Sequence, residues 1–240
     1  MQTNIIEVSR LSKHYQISFN KSFVALKQAS FEVRAAEIVS FIGANGAGKS
    51  TLLKVLAGIN QPTEGSVKIF NQLNNSQVAK NKIAFMPENP QFFGELNALQ
   101  TLKLFASFYN DPVEDVSALL KLVGLENATK KPINNFSKGM KQRLGFAQCL
   151  VGNPLVIFLD EPLDGLDPIG RRELKQNFIN LKKKGVTIVL CSHILSDIDE
   201  VSDRIGVIHR GKVLKLTTPK QFKQNHSLEQ AFFKFIKSRS

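Results

Sequence analysis

The nine residues GANGAGKST, Gly43 to Thr51, constrain this chain more than any other stretch. They satisfy G-x-x-x-x-G-K-[ST], follow the β-branched run EIVSF and lead straight into the amphipathic TLLKVLAG. A strand, a glycine-rich turn and a helix in that order gather backbone N–H groups around an anion at the positive end of the helix. The glycines keep Cβ atoms out of the way, Lys49 places a point charge on the β- and γ-phosphates of a nucleotide, and Ser50 is set to ligate Mg²⁺. The expected nucleotide-binding set is Gly43, Ala44, Asn45, Gly46, Ala47, Gly48, Lys49, Ser50 and Thr51. The bland counterpart is a glycine-rich turn with a chance lysine, and the strand and helix flanks argue against it.

That turn needs a parallel sheet behind it, and the rest of the chain supplies one. Beyond Pro154, LVIFLD and VTIVLC alternate with a helix expected from Asp167-Pro168 to Gly185, the pattern of parallel strands with crossover helices. EIVSFIG is expected to join the same sheet. Up to about Phe70, the runs NIIEV, ASFEV and GSVKIF, divided by polar turns, predict a small strand-rich part. The middle is expected to be helical. Leu99, Leu102, Phe105 and Phe108 recur every third residue between Leu96 and Tyr109. DPVEDVSALLKLVGL then offers Asp111 as N-cap, Pro112 at the first helical position and a stop at Gly124. At 240 residues, the chain reads as an α/β core with a helical excursion.

The formal charge of +12 admits nucleic acid, an anionic membrane surface or a phosphate-rich ligand as partner. Its clusters, RRELK at 171–175, LKKKG at 181–185 and the tail from Lys212 to Arg239, fall mostly on expected helices. They lack the glycine-aromatic pattern of an RNA-binding strand, so a solvated helix face is the favoured reading. Cys149 and Cys191, the only cysteines, sit in apolar surroundings without a CxxC partner and read as buried small apolar residues. No apolar run approaches the ~20 residues of a membrane span, and the start MQTNIIEVSR lacks the plan of a leader, so a cytosolic location is expected.

LVIFLDEP ends a buried strand with two carboxylates, at the sheet edge where ligands bind. Asp160 can hold the Mg²⁺ shell while Glu161 activates a water for in-line attack; alone, the pair could be no more than a helix cap. NNFSKGMKQRLGFAQCL reads as a helix with Ser137 as N-cap and Met140, Leu144, Ala147 and Leu150 on one face. In IAFMPENPQFF, Glu88 belongs either to chemistry or to a turn framed by Pro87 and Pro90, and Phe92 and Phe93 either to the core or to an exposed apolar edge.

FSKGMKQRL resembles the signature motif of ATP-binding cassette (ABC) proteins, lying between Walker A (GANGAGKST) and Walker B (LVIFLDEP) in that family's order. The resemblance implies a P-loop NTPase fold with a parallel core sheet, an N-terminal antiparallel β part and an inserted helical subdomain. Residues 1–240 would form one domain, with 1–88 and 152–240 as core and 89–151 as the helical signature part. It implies a head-to-tail dimer around two ATP molecules, in which Ser137 and Gly139 meet a γ-phosphate in trans. LSKHYQ puts Tyr15 where the family stacks an aromatic on adenine, although a strand-end tyrosine is the alternative. LDGLDP resembles the D-loop, with Asp167 crossing the dimer interface. CSHIL puts His193 at the switch position contacting the γ-phosphate. Of the four histidines only His193 is expected to end a central strand, while His14, His209 and His226 are expected at exposed sites. Glu88 occupies the place of the Q-loop glutamine, which would make it a metal ligand with Ser50 and Asp160.

The chain departs from the family pattern at Phe136, Lys138 and Met140 in the signature, at Leu163-Asp164 in LDGLDP, and at Ala36. The resemblance further implies ATP hydrolysis driving a separate integral membrane permease subunit, from the cytoplasmic side of the cell membrane, by a homodimer. SLEQAFFKFI and the SKGMKQRL form resemble ATPases of bacterial type-2 exporters. The alternative is a non-transport ABC ATPase acting on ribosomes or nucleic acid, but the family's translation factors carry paired cassettes and its DNA-repair type a coiled coil, so no stable nucleic-acid partner is expected. A P-loop kinase or GTPase would need no signature helix, and N-K-x-D is absent.

Overall fold

The long antiparallel hairpin of β1 (Asn4–Ser18) and β2 (Lys21–Arg34) forms because apolar residues alternate along both strands and meet on one face, Val8 opposite Phe31 and Leu11 opposite Ala29. In the computed structural model, which describes residues 3–18 and 21–239, the chain then enters β3 (Ile38–Ile42), the glycine-rich turn and α1 (Lys49–Leu56). The first two residues of the polar start lie outside the described ones. β4 (Glu64–Ile69), β5 (Gln72–Leu73), the short α2 (Gln77–Lys80) and β6 (Ile83–Met86) follow. Next come three helices: α3 (Ala98–Ala106), α4 (Val116–Leu122) and α5 (Lys138–Leu150). The remainder is β7 (Val156–Asp160), α6 (Pro168–Lys183), β8 (Thr187–Cys191), α7 (Leu195–Val201), β9 (Arg204–His209), β10 (Lys212–Thr217), α8 (Pro219–Lys223) and α9 (Leu228–Lys237).

Two sheets result. β2-β1-β4-β5 is antiparallel; β10-β9-β3-β8-β7-β6 is parallel apart from the β9–β10 hairpin. Every residue of β3, β7 and β8 is buried, which explains why those strands read as unbroken apolar runs rather than alternating ones. α1 packs between the sheets, with Leu52, Leu53, Val55 and Leu56 fully buried. The other face of the parallel sheet carries α3 to α6 around Phe146 and Phe178, whose rings meet edge to face at 5.3 Å. Burying each such side chain contributes about 1.5–3 kcal/mol.

Several expectations are corrected. Asp111 does not cap a helix: the N–H of Val113 is taken by the Val151 carbonyl at 2.8 Å, and α4 starts four residues later, where Asp115 accepts from the Ser117 N–H at 2.8 Å. α3 begins with a reciprocal Asn97–Gln100 capping box and ends at Ala106, inside the predicted range. His209 also ends a strand beside β3 and is half-buried, as is His14. RRELK is not wholly solvated, because Lys175 is buried between Asp197 at 2.8 Å and Glu200 at 2.6 Å, tying α6 to α7. Lys182 likewise pairs with Asp203 at 2.5 Å.

Candidate functional site

The neighbouring strands β3, β8, β7 and β6 all run the same way, so their C-terminal ends deliver four segments to one edge: the glycine-rich turn, Ser192-His193, Asp160-Glu161 and Glu88. A cavity of about 440 Å³ opens there, lined by Asn45, Gly46, Gly48, Lys49, Ser50, Thr51, Glu88, Glu161 and His193 from the expected set, and by Phe23 and Ala25 from β2.

The turn is shaped by two glycines in the left-handed region, Gly46 at φ 76° and Gly48 at φ 110°. A Cβ at Gly48 would stand 2.6 Å from the Ala25 carbonyl oxygen, so only glycine lets the turn pass under β2. Gly48 is also the N-cap of α1, and no side chain caps this helix; its first-turn N–H groups, which have no partner within the helix, are left to the cavity. The buried Lys49 ammonium donates to the carbonyls of Gly43 at 2.7 Å and Ala44 at 3.3 Å. From outside, the Gly211 N–H in the β9–β10 turn donates to the Ala47 carbonyl at 3.0 Å.

Asp160 lies behind Ser50, whose hydroxyl bonds to its carboxylate. Burial pushes the Asp160 carboxyl upward, the Ser50 bond opposes this, and the charges of Glu161 and Glu88 add to the rise. Oδ1 of Asp160 is buried without a hydrogen-bond partner among the described residues. A divalent cation beside Ser50 fits this orphaned oxygen and the excess of negative charge.

Glu161 is buried and points the other way. Its Oε2 accepts from the His193 backbone N–H at 3.1 Å and lies 2.8 Å from His193 Nδ1, while the His193 ring is half exposed. Glu161 stands at φ 49°, a left-handed conformation that costs a non-glycine residue on the order of 1 kcal/mol. The same turn aims Asp160 and Glu161 apart.

The remaining expected residues lie elsewhere. Ser137, Gly139 and Asp167 line a second cavity of about 550 Å³ together with Arg143 and Lys131. Ser137 caps α5 and accepts from the Met140 N–H at 3.2 Å; Asp167 caps α6 and accepts from the Gly170 N–H at 3.0 Å. Tyr15 lines neither cavity. It faces Phe23 across the β1–β2 pair, and its hydroxyl accepts from Asn60 Nδ2 at 2.8 Å. Phe23 is the aromatic side chain that lines the first cavity, and sequence reasoning passed it over because motif spacing pointed to Tyr15 and cross-strand register is not written in a single strand. Phe92 packs on the core and Phe93 is exposed, dividing the pair between its two readings.

Comparison with known proteins agrees with this geometry. The ABC transporter family model matches residues 26–164. A lantibiotic transport ATP-binding protein of Streptococcus pyogenes is 36% identical over 228 residues, 95% of this chain and 96% of its own. A bacitracin transport ATP-binding protein of Bacillus licheniformis is 37% identical, over 89% of this chain and 69% of its own. An uncharacterized ABC transporter ATP-binding protein of Synechocystis is 37% identical over 89% of this chain, which spans only 63% of that relative's length. Among solved structures, the ATP-binding subunit of an ABC transporter superposes with a TM-score of 0.86 at 29% identity over 97% of this chain and 99% of its own. A dimeric ATP-binding cassette in a post-hydrolysis state with ADP and Pi does so at 0.82 and 26% identity, over 89% of this chain and 98% of its own. With the phosphate turn, the paired carboxylates and His193 gathered at one sheet edge, and with these relatives along nearly its whole length, the chain belongs to the ABC transporter family as one of its ATP-binding domains.

Proposed function

We propose that this chain is the ATPase subunit of an exporter, binding Mg-ATP at a dimer interface and driving a separate integral membrane permease from the cytoplasmic face of the membrane. The observation that carries the reading is the convergence of Lys49, Ser50, Glu88, Glu161 and His193 on one cavity. In this reading the N–H groups of residues 43–51 and the Lys49 ammonium hold the phosphates, exchanging the Gly43 and Ala44 carbonyls for phosphate oxygens. Ser50, Asp160 and Glu88 would hold Mg²⁺, which would supply positive charge to the phosphates. A carboxylate at Glu88, where the family has glutamine, can ligate a metal but cannot donate a hydrogen bond unless protonated.

Glu161 takes a proton from the attacking water. His193 holds the Glu161 carboxylate before nucleotide binds and turns to the γ-phosphate afterwards. Phe23 offers its ring to the adenine, braced by Tyr15 across the hairpin. The second cavity, with Ser137, Gly139 and Asp167, is complementary to the first in kind: a capped helix start and the cations Arg143 and Lys131 await the phosphates of a second copy's nucleotide. Two chains head to tail, as a homodimer, satisfy both cavities. Residues 89–151 serve as the helical subdomain that meets the permease, with exposed Phe93 close in sequence to Glu88 on that edge. The names of the lantibiotic and bacitracin transport relatives support a transport role, and export is the direction we assign.

Two measurements test this. E161Q should retain ATP affinity, trap a dimer and lower turnover by about 10²–10⁴; full turnover would remove Glu161 from the reaction. Recovery of the tagged chain from host membranes should bring a polytopic membrane protein with it, and recovery with ribosomes instead would replace the exporter reading by a translational one.

A further inference from the structure

Glu161 depends on a helix that does not line its cavity. Its carbonyl oxygen, turned out of line by the φ of 49°, accepts from Gln142 Nε2 at 2.8 Å and from the Asp164 N–H at 3.2 Å. Gln142 sits one turn into α5 and is 1% exposed. A buried amide whose donor reaches the backbone of a strained residue holds that residue in place, because releasing it would leave both groups unsatisfied.

The same helix grips the loop again three and four residues earlier, at Gly139 and Lys138. Lys138 Nζ meets Asp164 Oδ2 at 2.5 Å, and its methylene stem lies across Gly165, where a Cβ would come within 2.8 Å of Lys138 Cδ. Gly139 packs so closely that a Cβ there would stand 2.8 Å from the Gly165 carbonyl oxygen. Lys138 and Asp164 are two of the places where this chain departs from its family's usual residues, and the fold joins them to each other. Their bond holds the Asp164 carboxyl below, and the Lys138 ammonium above, its ordinary range.

We propose that Gln142 is a positioning residue for the hydrolysis step, and that with the Lys138–Asp164 pair it makes α5 the strut that sets the Glu161 carboxylate. The inference rests on the reading of Glu161 as the group that activates water. It also links the two cavities: α5 starts at Ser137 and Gly139, which line the second cavity, and one turn later holds the backbone of the residue that lines the first. A nucleotide engaged at the start of α5 therefore acts on the Glu161 of the same chain, not only on the copy that binds it.

Q142M in the full-length chain keeps the side chain's approximate size and deletes the donor. Its kcat should fall roughly ten- to a hundred-fold, while KM for ATP, ATP affinity by titration and the melting midpoint stay at parental values. A split confined to kcat is not what loss of packing gives. A parental kcat in Q142M, with E161Q inactive, overturns the inference and leaves the role of Glu161 standing; parental turnover in E161Q overturns that role itself. If Q142M melts early, the exposed pair decides: K138D and D164K should each lower kcat several-fold at unchanged ATP affinity and the double reversal should restore it, whereas parental kcat in both single variants refutes the strut.

Discussion

Tyr15 and Phe23 stand opposite each other on β1 and β2 with different surroundings. The Tyr15 hydroxyl is held by Asn60, and Lys13 Nζ lies 5.2 Å from the centre of its ring; Phe23 has half its surface open, on the cavity side. Stacking of a base on an aromatic ring is worth about 1–3 kcal/mol, so F23A should raise KM for ATP by roughly tenfold or more. Y15A should act less on KM and more on the hairpin, and a steady-state titration of both variants separates the two. Residues of the proposed site whose chemistry dictates type and spacing can be picked out in the sequence: Lys49, Ser50, Asp160, Glu161 and His193 all come from short motifs. Phe23 and Gln142 cannot be, because the role proposed for each rests on a contact between separate segments of the chain, and nothing local marks a glutamine that bonds the carbonyl of a residue nineteen positions on.

Elements were legible where hydrophobic period and end signals coincided. Asp167-Pro168 starts α6 and Ser137 caps α5 at the residues expected, since a capping side chain and the apolar face behind it announce the same register. DPVEDVSALL holds two aspartates with equal local claims. The choice between them was made by the tertiary bond from Val113 N–H to the Val151 carbonyl, and the chain stays out of helix until Val116. D115A, which removes the cap of α4, should therefore lower the urea unfolding midpoint, and D111A should leave it at or near the parental value.

For the whole molecule, the mixed fold followed from the order of apolar runs, whereas the strand order β10-β9-β3-β8-β7-β6 did not, because it depends on which runs become neighbours. The excess charge misled in part: Lys175 and Lys182 bridge α6 to acidic groups near α7 instead of facing only solvent. The cysteines were read as apolar, and burial pushes the Cys149 thiol up to about 12 and that of Cys191 well above its ordinary value. Titration then lies far above neutrality, with thiolate scarce below it. At pH 8 neither thiol should react with iodoacetamide in the folded protein, and both should react in guanidinium, as counted by intact mass. Labelling of Cys191 in folded protein would mean that the end of β8, next to His193, opens.

The phosphate turn is held from two sides before any nucleotide arrives, by the Gly211 N–H on Ala47 and by the Lys49 ammonium on the carbonyls of Gly43 and Ala44. ATP then finds a rigid cradle and surrenders little chain entropy on entering it. What it must do instead is draw a cation away from two dipoles that already solvate it. The internal bond of Lys49 thus acts as a competitor, one that phosphate displaces and that a neutral nucleoside, bringing no charge to exchange, cannot.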